Sequence, residues 1–494
     1  MRTKTLRRTL VLAVLANAIS LLTLAVAYPA SAQRSSTRNN PLFQSYAASK
    51  LPQVTPDNST QQPGLPRFKL IDLGTFGGPN SYFAVPLSRL LSSTGTAAGT
   101  ADTPMADPFD PDCFNDCFVT YAFQRLNGVV TQLPALPDSL SSFPFWINDF
   151  GQIVGPSEKN VLDPQTGYPT TDSVLWTNGQ AINLGGLGGN ASLAAAVNNA
   201  GMVVGAASNT IPDSYSTNFA VCGYGFPYME FPTATQIHAY VWQNGVMQDL
   251  GTLGTGTDSA AGFVNDAGQV AGQTYIDNIP NPVTGVPTLD PFFWESGKGM
   301  TDLGSLGGTC GTAWWLNNRG QVVGQSNLRG NGSFHPFLWD PNQGVMQDLG
   351  TLGGNTGIAF AISDSSLVVG RADYSHQSTN HHAFLWRTGV MTDLGVLGDC
   401  VNSTAYSVNR YEQIVGYTGK CSNGGGGPGF YSEHGQPIVD LNTLLLPGTD
   451  IQVVGAAYIN DRGEIAGSGM LPNGDVHAIV LIPVRENAVP PTPF

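Results

Sequence analysis

The side chains with reactive potential fall into three groups: carboxylates, histidines and cysteines. Among the carboxylates outside the recurring motifs, Asp110, Asp112, Glu158 and Glu230 are the candidates for such chemistry. Two such groups converging on a glycosidic bond would serve as acid and base. A hydrolase or lyase acting on extracellular polysaccharide is therefore one function class to weigh. Asp107, Asp110, Asp112 and Asp116 crowd one segment. They lack the D-x-D-x-D-G spacing of a calcium loop, and calcium is the one cofactor this segment suggests. His376, His381 and His382 are close in sequence but show no metal-ligand spacing, so no metal site is expected. His238, His335, His382 and His477 hold the same place in a recurring strand, which points to structure, because a catalytic site is singular. The recurring Asp of a D-L-G motif is read the same way, as a turn former or a hydrogen-bond link between repeats. G-x-S-x-G, H-E-x-x-H and G-x-x-x-x-G-K are all absent. No catalytic residue is assigned, and a non-enzymatic role is expected.

The elements that would position any such groups begin with an export signal. Arg2, Lys4, Arg7 and Arg8 precede an uncharged apolar run from Thr9 to Val26, and Ala30-Ser31-Ala32 follows. This reads as a signal peptide over residues 1–32, giving a secreted or cell-surface protein with no membrane insertion once the signal is removed. The remaining chain has 17 basic and 35 acidic residues, a charge of −18, from the 21 and 35 of the full sequence less the four basic residues of the signal. Such a surface repels phosphate backbones, so nucleic acid is not an expected partner. Six cysteines in an exported chain favour disulfides. Proximity pairs Cys113 with Cys117 and Cys400 with Cys421, leaving Cys222 and Cys310.

Residues 33–66 are rich in Ser, Gln, Asn and Pro and read as a flexible lead-in, and residues 485–494 as a disordered tail. Between them, over 67–484, three landmarks each occur eight times. One is an aromatic strand, clearest at His382-Ala383-Phe384-Leu385-Trp386. The second is D-L-G, as at Asp393-Leu394-Gly395, and the third is N-x-x-G-x-V-V-G, starting at Asn148, Asn198, Asn265, Asn317 and Asn460. Weaker copies of the third start at Ser92, Ser363 and Asn409. The aromatic strand and V-M-x-D-L-G flank Asn-Gly or Thr-Gly turns and read as one hairpin. A second hairpin turns at sequences such as Asn265-Asp266-Ala267-Gly268, where Asn can bond the backbone beyond it and Gly supplies positive φ.

Four short strands per copy, apolar on both faces, must stack on their neighbours, as propeller blades do around a ring. The repeat region starts on a D-L-G strand and ends on an aromatic one. The expected fold is therefore an all-β propeller of about eight four-stranded blades, closed by pairing of the N- and C-terminal strands. An open β-solenoid is the alternative. The H-A-F-L-W, D-L-G-x-L-G-G and N-x-x-G-x-V-V-G elements resemble the HAF-repeat family of extracellular repeat proteins, over most of residues 68–481. The resemblance implies export and repetition, and it brings no assigned chemistry and no catalytic residues.

Insertions fall at one kind of joint, between the V-V-G strand and the next aromatic strand, which reads as a connection between units. The steps after Gly99, Gly155, Gly205 and Gly272 are 22, 17, 33 and 18 residues, whereas those after Gly324, Gly370, Gly416 and Gly467 are 11, 12, 13 and 10. Insertions on one face mark the binding face of a repeat protein. The longest carries Tyr215, Phe219, Tyr224, Phe226, Tyr228 and Phe231, whose rings could stack on a sugar or peptide. The same rings could instead cap the ends of the blades. The leading expectation is a monomeric binder of an extracellular glycan or protein. A polysaccharide hydrolase or lyase and a passive cell-surface component are the alternatives.

Overall fold

In the computed structural model the described residues are 64–83, 88–110, 116–216, 233–282, 284–377, 379–422 and 426–484. The expected signal, most of the lead-in, the tail, Cys113, Cys222, Asp112, Glu230 and the rings from Phe219 to Phe231 lie outside them. Among the described residues the strands form eight antiparallel blades, each a meander whose strands are termed a to d from the ring axis outward. Blades 1 to 7 cover residues 81–132, 139–183, 192–251, 259–302, 307–348, 357–393 and 402–440. Blade 8 joins the two ends of the chain: Gln452–Ile459, Ile465–Met470 and Val476–Val484 supply a to c, and Arg67–Asp72 supplies d. Leu70 stands opposite Leu481 and Asp72 opposite Ile479 in that closing pair. The ring is thus closed by hydrogen bonds between the termini, which leaves blade 8 no missing strand. No helix among the described residues is long and apolar enough to cross a membrane.

Blade 3 shows how the motifs build this. Strand a, Ser192–Val197, and strand b, Val203–Pro212, carry A-x-x-V-N and V-V-G. Strand c, Thr235–Gln243, is the aromatic strand, and strand d, Val246–Gly251, is the exposed D-L-G strand. The blade therefore begins half a unit from where the sequence suggests. The insertion-bearing joint lies inside a blade, between hydrogen-bonded strands b and c, while the T-L-G-G loop connects blades.

The Gly of V-V-G is required by close approach. A bulge in strand a faces it in blade after blade, between Ala194 and Ala196 opposite Gly205 and between Ala313 and Trp315 opposite Gly324. A Cβ on Gly324 would lie 1.9 Å from the Thr312 carbonyl oxygen and 2.9 Å from the Phe337 ring, the Phe of its own aromatic strand. The bulges of blades 5 to 7 bring Trp314, Phe360 and Tyr406 into contact, the first pair edge-on and the second tilted, with centroids 6.0 and 5.3 Å apart. Trp146, Phe263, Trp315 and Tyr458, from strand a or next to it in blades 2, 4, 5 and 8, meet across the axis at centroid distances of 5.2–6.4 Å. They plug the centre of the ring with aromatic surface.

Candidate functional site at the seam of blades 5 and 6

The recurring polar residues are consumed by the scaffold. Each turn Asn accepts two backbone N–H groups from its own turn, as Asn265 Oδ1 does from Ala267 and Gln269 at 3.1 and 2.9 Å. Its Nδ2 reaches the next blade. Asn148 donates to the Asn198 carbonyl, Asn198 to Asn265, Asn265 to Asn317 and Asn317 to Ser363, all at 2.9–3.0 Å. Asn409 donates to Asn460 and Asn460 to Ser92. The link between blades therefore runs through Asn. The D-L-G Asp instead works within a blade. Asp393 Oδ1 accepts from Gly395 N at 2.7 Å, and its carboxylate meets His382 Nδ1 at 2.9 Å. Asp249 with His238, Asp348 with His335 and Asp72 with His477 repeat that pair. The expected turn role holds, and the expected bond between repeats belongs to a different residue.

Of the four singular carboxylates, Glu158 is buried, Asp110 is exposed, and Asp112 and Glu230 lie outside the described residues. Glu158 has no exposed surface, and among the described residues neither of its oxygens has a hydrogen-bond partner. Burial, with Asp107 adding to it, pushes its carboxyl up to about 8. It is a neutral acid inside the wall of the ring, out of reach of a substrate. Asp107 is also buried and caps its own loop by accepting from Phe109 N at 2.8 Å. Asp116 accepts from Asn80 Nδ2 and Tyr82 Oη, both at 2.6 Å. Buried Asp102 is pushed up to about 8 by burial first and by Asp116 second. Asp110 sits in the turn after Asp107, whose carbonyl accepts its N–H. Tyr215, the described ring of the longest insertion, packs against the seam of blades 3 and 4 beside Ile237, Tyr275 and Leu289. Cys400 and Cys421 form a disulfide tying the loop before blade 7 to its b–c loop. Cys117 and Cys310 are also disulfide-bonded.

The site that sequence reasoning missed lies in the second half of the ring, where the loops are short. A cleft of about 520 Å3 opens between blades 5 and 6 on the face of the b–c loops. Its floor is Phe334, Ile358, Gly357 and Asp373, all buried, and its exposed rim holds Asn355, His376, Gln377 and Thr379. The seam is drawn together by a parallel bridge between Phe334 and Thr356. Arg371 stands on strand b, Val368–Asp373, one residue past the V-V-G glycine, with its guanidinium 5.9 Å over the Phe360 ring. Its Nη1 lies 3.4 Å from His381 Nε2. Arginine only donates, so Nε2 is the acceptor and the neutral imidazole carries its proton on the other nitrogen. Burial first, then Arg371 and Lys420, pull His381 down to about 3. His376 donates Nδ1–H to Asn355 Oδ1 at 2.7 Å. Asp373 Oδ2 is occupied by the Thr356 N–H and hydroxyl at 3.1 and 2.7 Å. Strand alternation separates the adjacent histidines: His381 faces the cleft and His382 pairs with Asp393. The cleft can bind an anion and hydroxyl groups together.

No protein-family model and no curated protein matches the chain. Solved structures similar to it include the β-propeller domain of the Trilobed protease from Pyrococcus furiosus, with 10% identity and a TM-score of 0.38 over 78% of this chain and 99% of that one. The Dos1 propeller has 10% identity and a TM-score of 0.37 over 84% and 95% of the two chains. TolB from Acinetobacter baumannii has 12% identity and a TM-score of 0.32 over 79% and 80%. The fold assignment rests on the chain's own strand pairing.

Proposed function

We propose that the chain is an exported, non-enzymatic propeller of the HAF-repeat kind that binds an extracellular glycan or protein on the face bearing the b–c loops. The cleft between blades 5 and 6 is its seat. The observation that carries this reading is Arg371. Arg89, Arg387, Arg410 and Arg462 each meet a carboxylate, whereas Arg371, like Arg67, Arg125, Arg319 and Arg329, meets none among the described residues, and of these five it is the one that lines the cleft. A fixed cation in the wall of a cleft of mixed polar and apolar lining, in a strongly acidic protein, suits an anionic ligand.

Gly332 supplies the test. It lines the cleft, its φ is ordinary, and a Cβ placed on it would meet nothing within 4 Å. Gly332→Trp should therefore fill the cleft and leave the fold intact. The full chain is screened on a glycan array and in pull-downs of extracellular protein, beside Gly332→Trp and Val246→Trp, the latter on the opposite face. Retention by the wild type and Val246→Trp, lost at least tenfold in Gly332→Trp, is the expected result. Equal retention by all three would move the site elsewhere, and no ligand at all would leave a passive surface component.

A further inference from the structure

Granting that the cleft is the ligand seat, we infer that it takes a uronic-acid residue of an acidic glycan, whose carboxylate is held by the guanidinium of Arg371. Arg371 is the departure from the repeat that carries this. The residue after the V-V-G glycine is Thr100, Pro156, Ala206, Gln273, Gln325, Tyr417 and Ser468 in the other seven blades. A cation stands there once, in the wall of the cleft.

The guanidinium is preorganised. The Phe360 ring lies under it and the neutral His381 imidazole takes one of its hydrogens, so the remaining donors of the planar fork are free to meet a planar carboxylate in two parallel bonds. The one carboxylate on the cleft floor, Asp373, is already engaged by Thr356. Lys420 lies near enough to act on His381 and bonds Asn380 Oδ1 at 3.2 Å. Arg371 and Lys420 outweigh Asp373 by one charge, so these groups give the cleft a local positive excess within a chain of strongly negative net charge. That contrast favours a discrete anion over a neutral ligand.

The rim favours a sugar over an acidic peptide. Asn355, His376, Gln377 and Thr379 offer donors and acceptors at close spacing, which suits the hydroxyls flanking a ring carboxylate. The apolar residues, Phe334 and Ile358, are buried in the floor. A peptide takes its specificity from side-chain pockets, and this rim has no apolar one. The volume falls within the ~300–1,000 Å3 range of small-ligand sites.

The experiment is titration calorimetry of the full chain with matched tetrasaccharides of mannuronate, glucuronate and galacturonate, each beside its neutral hexose counterpart. A peptide ending in Asp is the further ligand. At least one uronate should bind ten or more times more tightly than its neutral partner. Arg371→Gln should abolish that preference, and Arg371→Lys should keep part of it. Equal affinity for acid and neutral sugars, insensitive to Arg371→Gln but lost in Gly332→Trp, overturns the uronate inference and keeps the cleft as the seat. Uronate binding unaffected by both variants overturns both readings. Binding of the acidic peptide alone, lost in Arg371→Gln, replaces the glycan with a protein partner. The acid-to-neutral comparison in the wild type stands even if a variant fails to fold.

Discussion

Asn460 donates its side-chain amide to the carbonyl of Ser92 at 2.9 Å, across 368 residues of sequence. The pair joins blade 8 to blade 1 by the same bond that joins Asn148 to Asn198 fifty residues apart. The amide chain is interrupted where Ser replaces Asn. Ser92 Oγ and Ser363 Oγ serve their own turns, accepting from Thr96 N and from Leu367 N.

Removing one link should therefore cost more than a surface turn would. Asn265→Ala deletes a buried side chain that accepts two N–H groups and donates to Gln269 Oε1 and the Asn317 carbonyl. A loss of about 2–4 kcal/mol is expected in urea unfolding. Ser363→Asn should act in the other direction, adding about 0.5–1.5 kcal/mol by supplying the amide toward Asn409. A neutral Asn265→Ala would refute the role given to the chain of amides.

Two glycines should respond in opposite ways to the same change. Gly324→Ala drives a Cβ to 1.9 Å from a backbone oxygen that cannot withdraw, so a loss of more than about 3 kcal/mol, or no folded protein, is expected. Gly332→Ala enters open space and should change stability by under about 0.5 kcal/mol. Thermal unfolding of the two variants side by side decides this.

Glu158 makes stability fall as pH rises. Its folded carboxyl titrates at about 8, pushed up by burial and then Asp107, whereas the unfolded chain releases that proton near the ordinary value of about 4.3. The native state binds the extra proton between those values, so stability is greatest at the acidic end and declines up to about pH 8. Asp102, pushed to about 8, and Asp290, pushed to about 7 by burial and then Asp302, act with the same sign. The melting temperature should drop from pH 5 to pH 8, and the drop should be shallower in Glu158→Gln. An unchanged slope in that variant would mean that Glu158 is ionised in the folded protein.

The Cys400–Cys421 disulfide closes a loop with a sequence separation of 21. The chain-entropy argument gives it about 3 kcal/mol. Cys400→Ser with Cys421→Ser should lower the melting temperature. Hydrogen exchange should rise first at the loops entering blade 7 and between its b and c strands. Uniform loss of protection around the ring would contradict a local staple.

The architecture was legible because repetition multiplies weak signals. One H-A-F-L-W hairpin is ambiguous, but eight in fixed order with offset ends leave a closed ring as the favoured arrangement, and the pairing of Arg67–Asp72 with the final strand completes it. The phase of the blade was not legible. The b–c loops vary so much in length that they imitate domain joints, and only the pairing of Gly205 with Tyr240 shows that a loop of that kind lies within one sheet. The Asn of the turn was correctly read as a local cap, but its second bond depends on a neighbour about 50 residues away that no local pattern reports. Arg371 is marked by no insertion into the repeat. The informative departure was a substitution within it, one charged residue at a position otherwise uncharged.

Strand Arg67–Asp72 is among the first parts of the described chain to be made, and its partner Val476–Val484 is the last. Translation at roughly 5–20 residues per second separates them by about 20–80 s. Throughout that interval blade 8 does not exist, and the apolar flanks of blades 1 and 7 have no neighbour on one side. A prematurely terminated product would present those flanks permanently. The joining of the two ends thereby covers apolar flanks that a chain lacking Val476–Val484 would leave open.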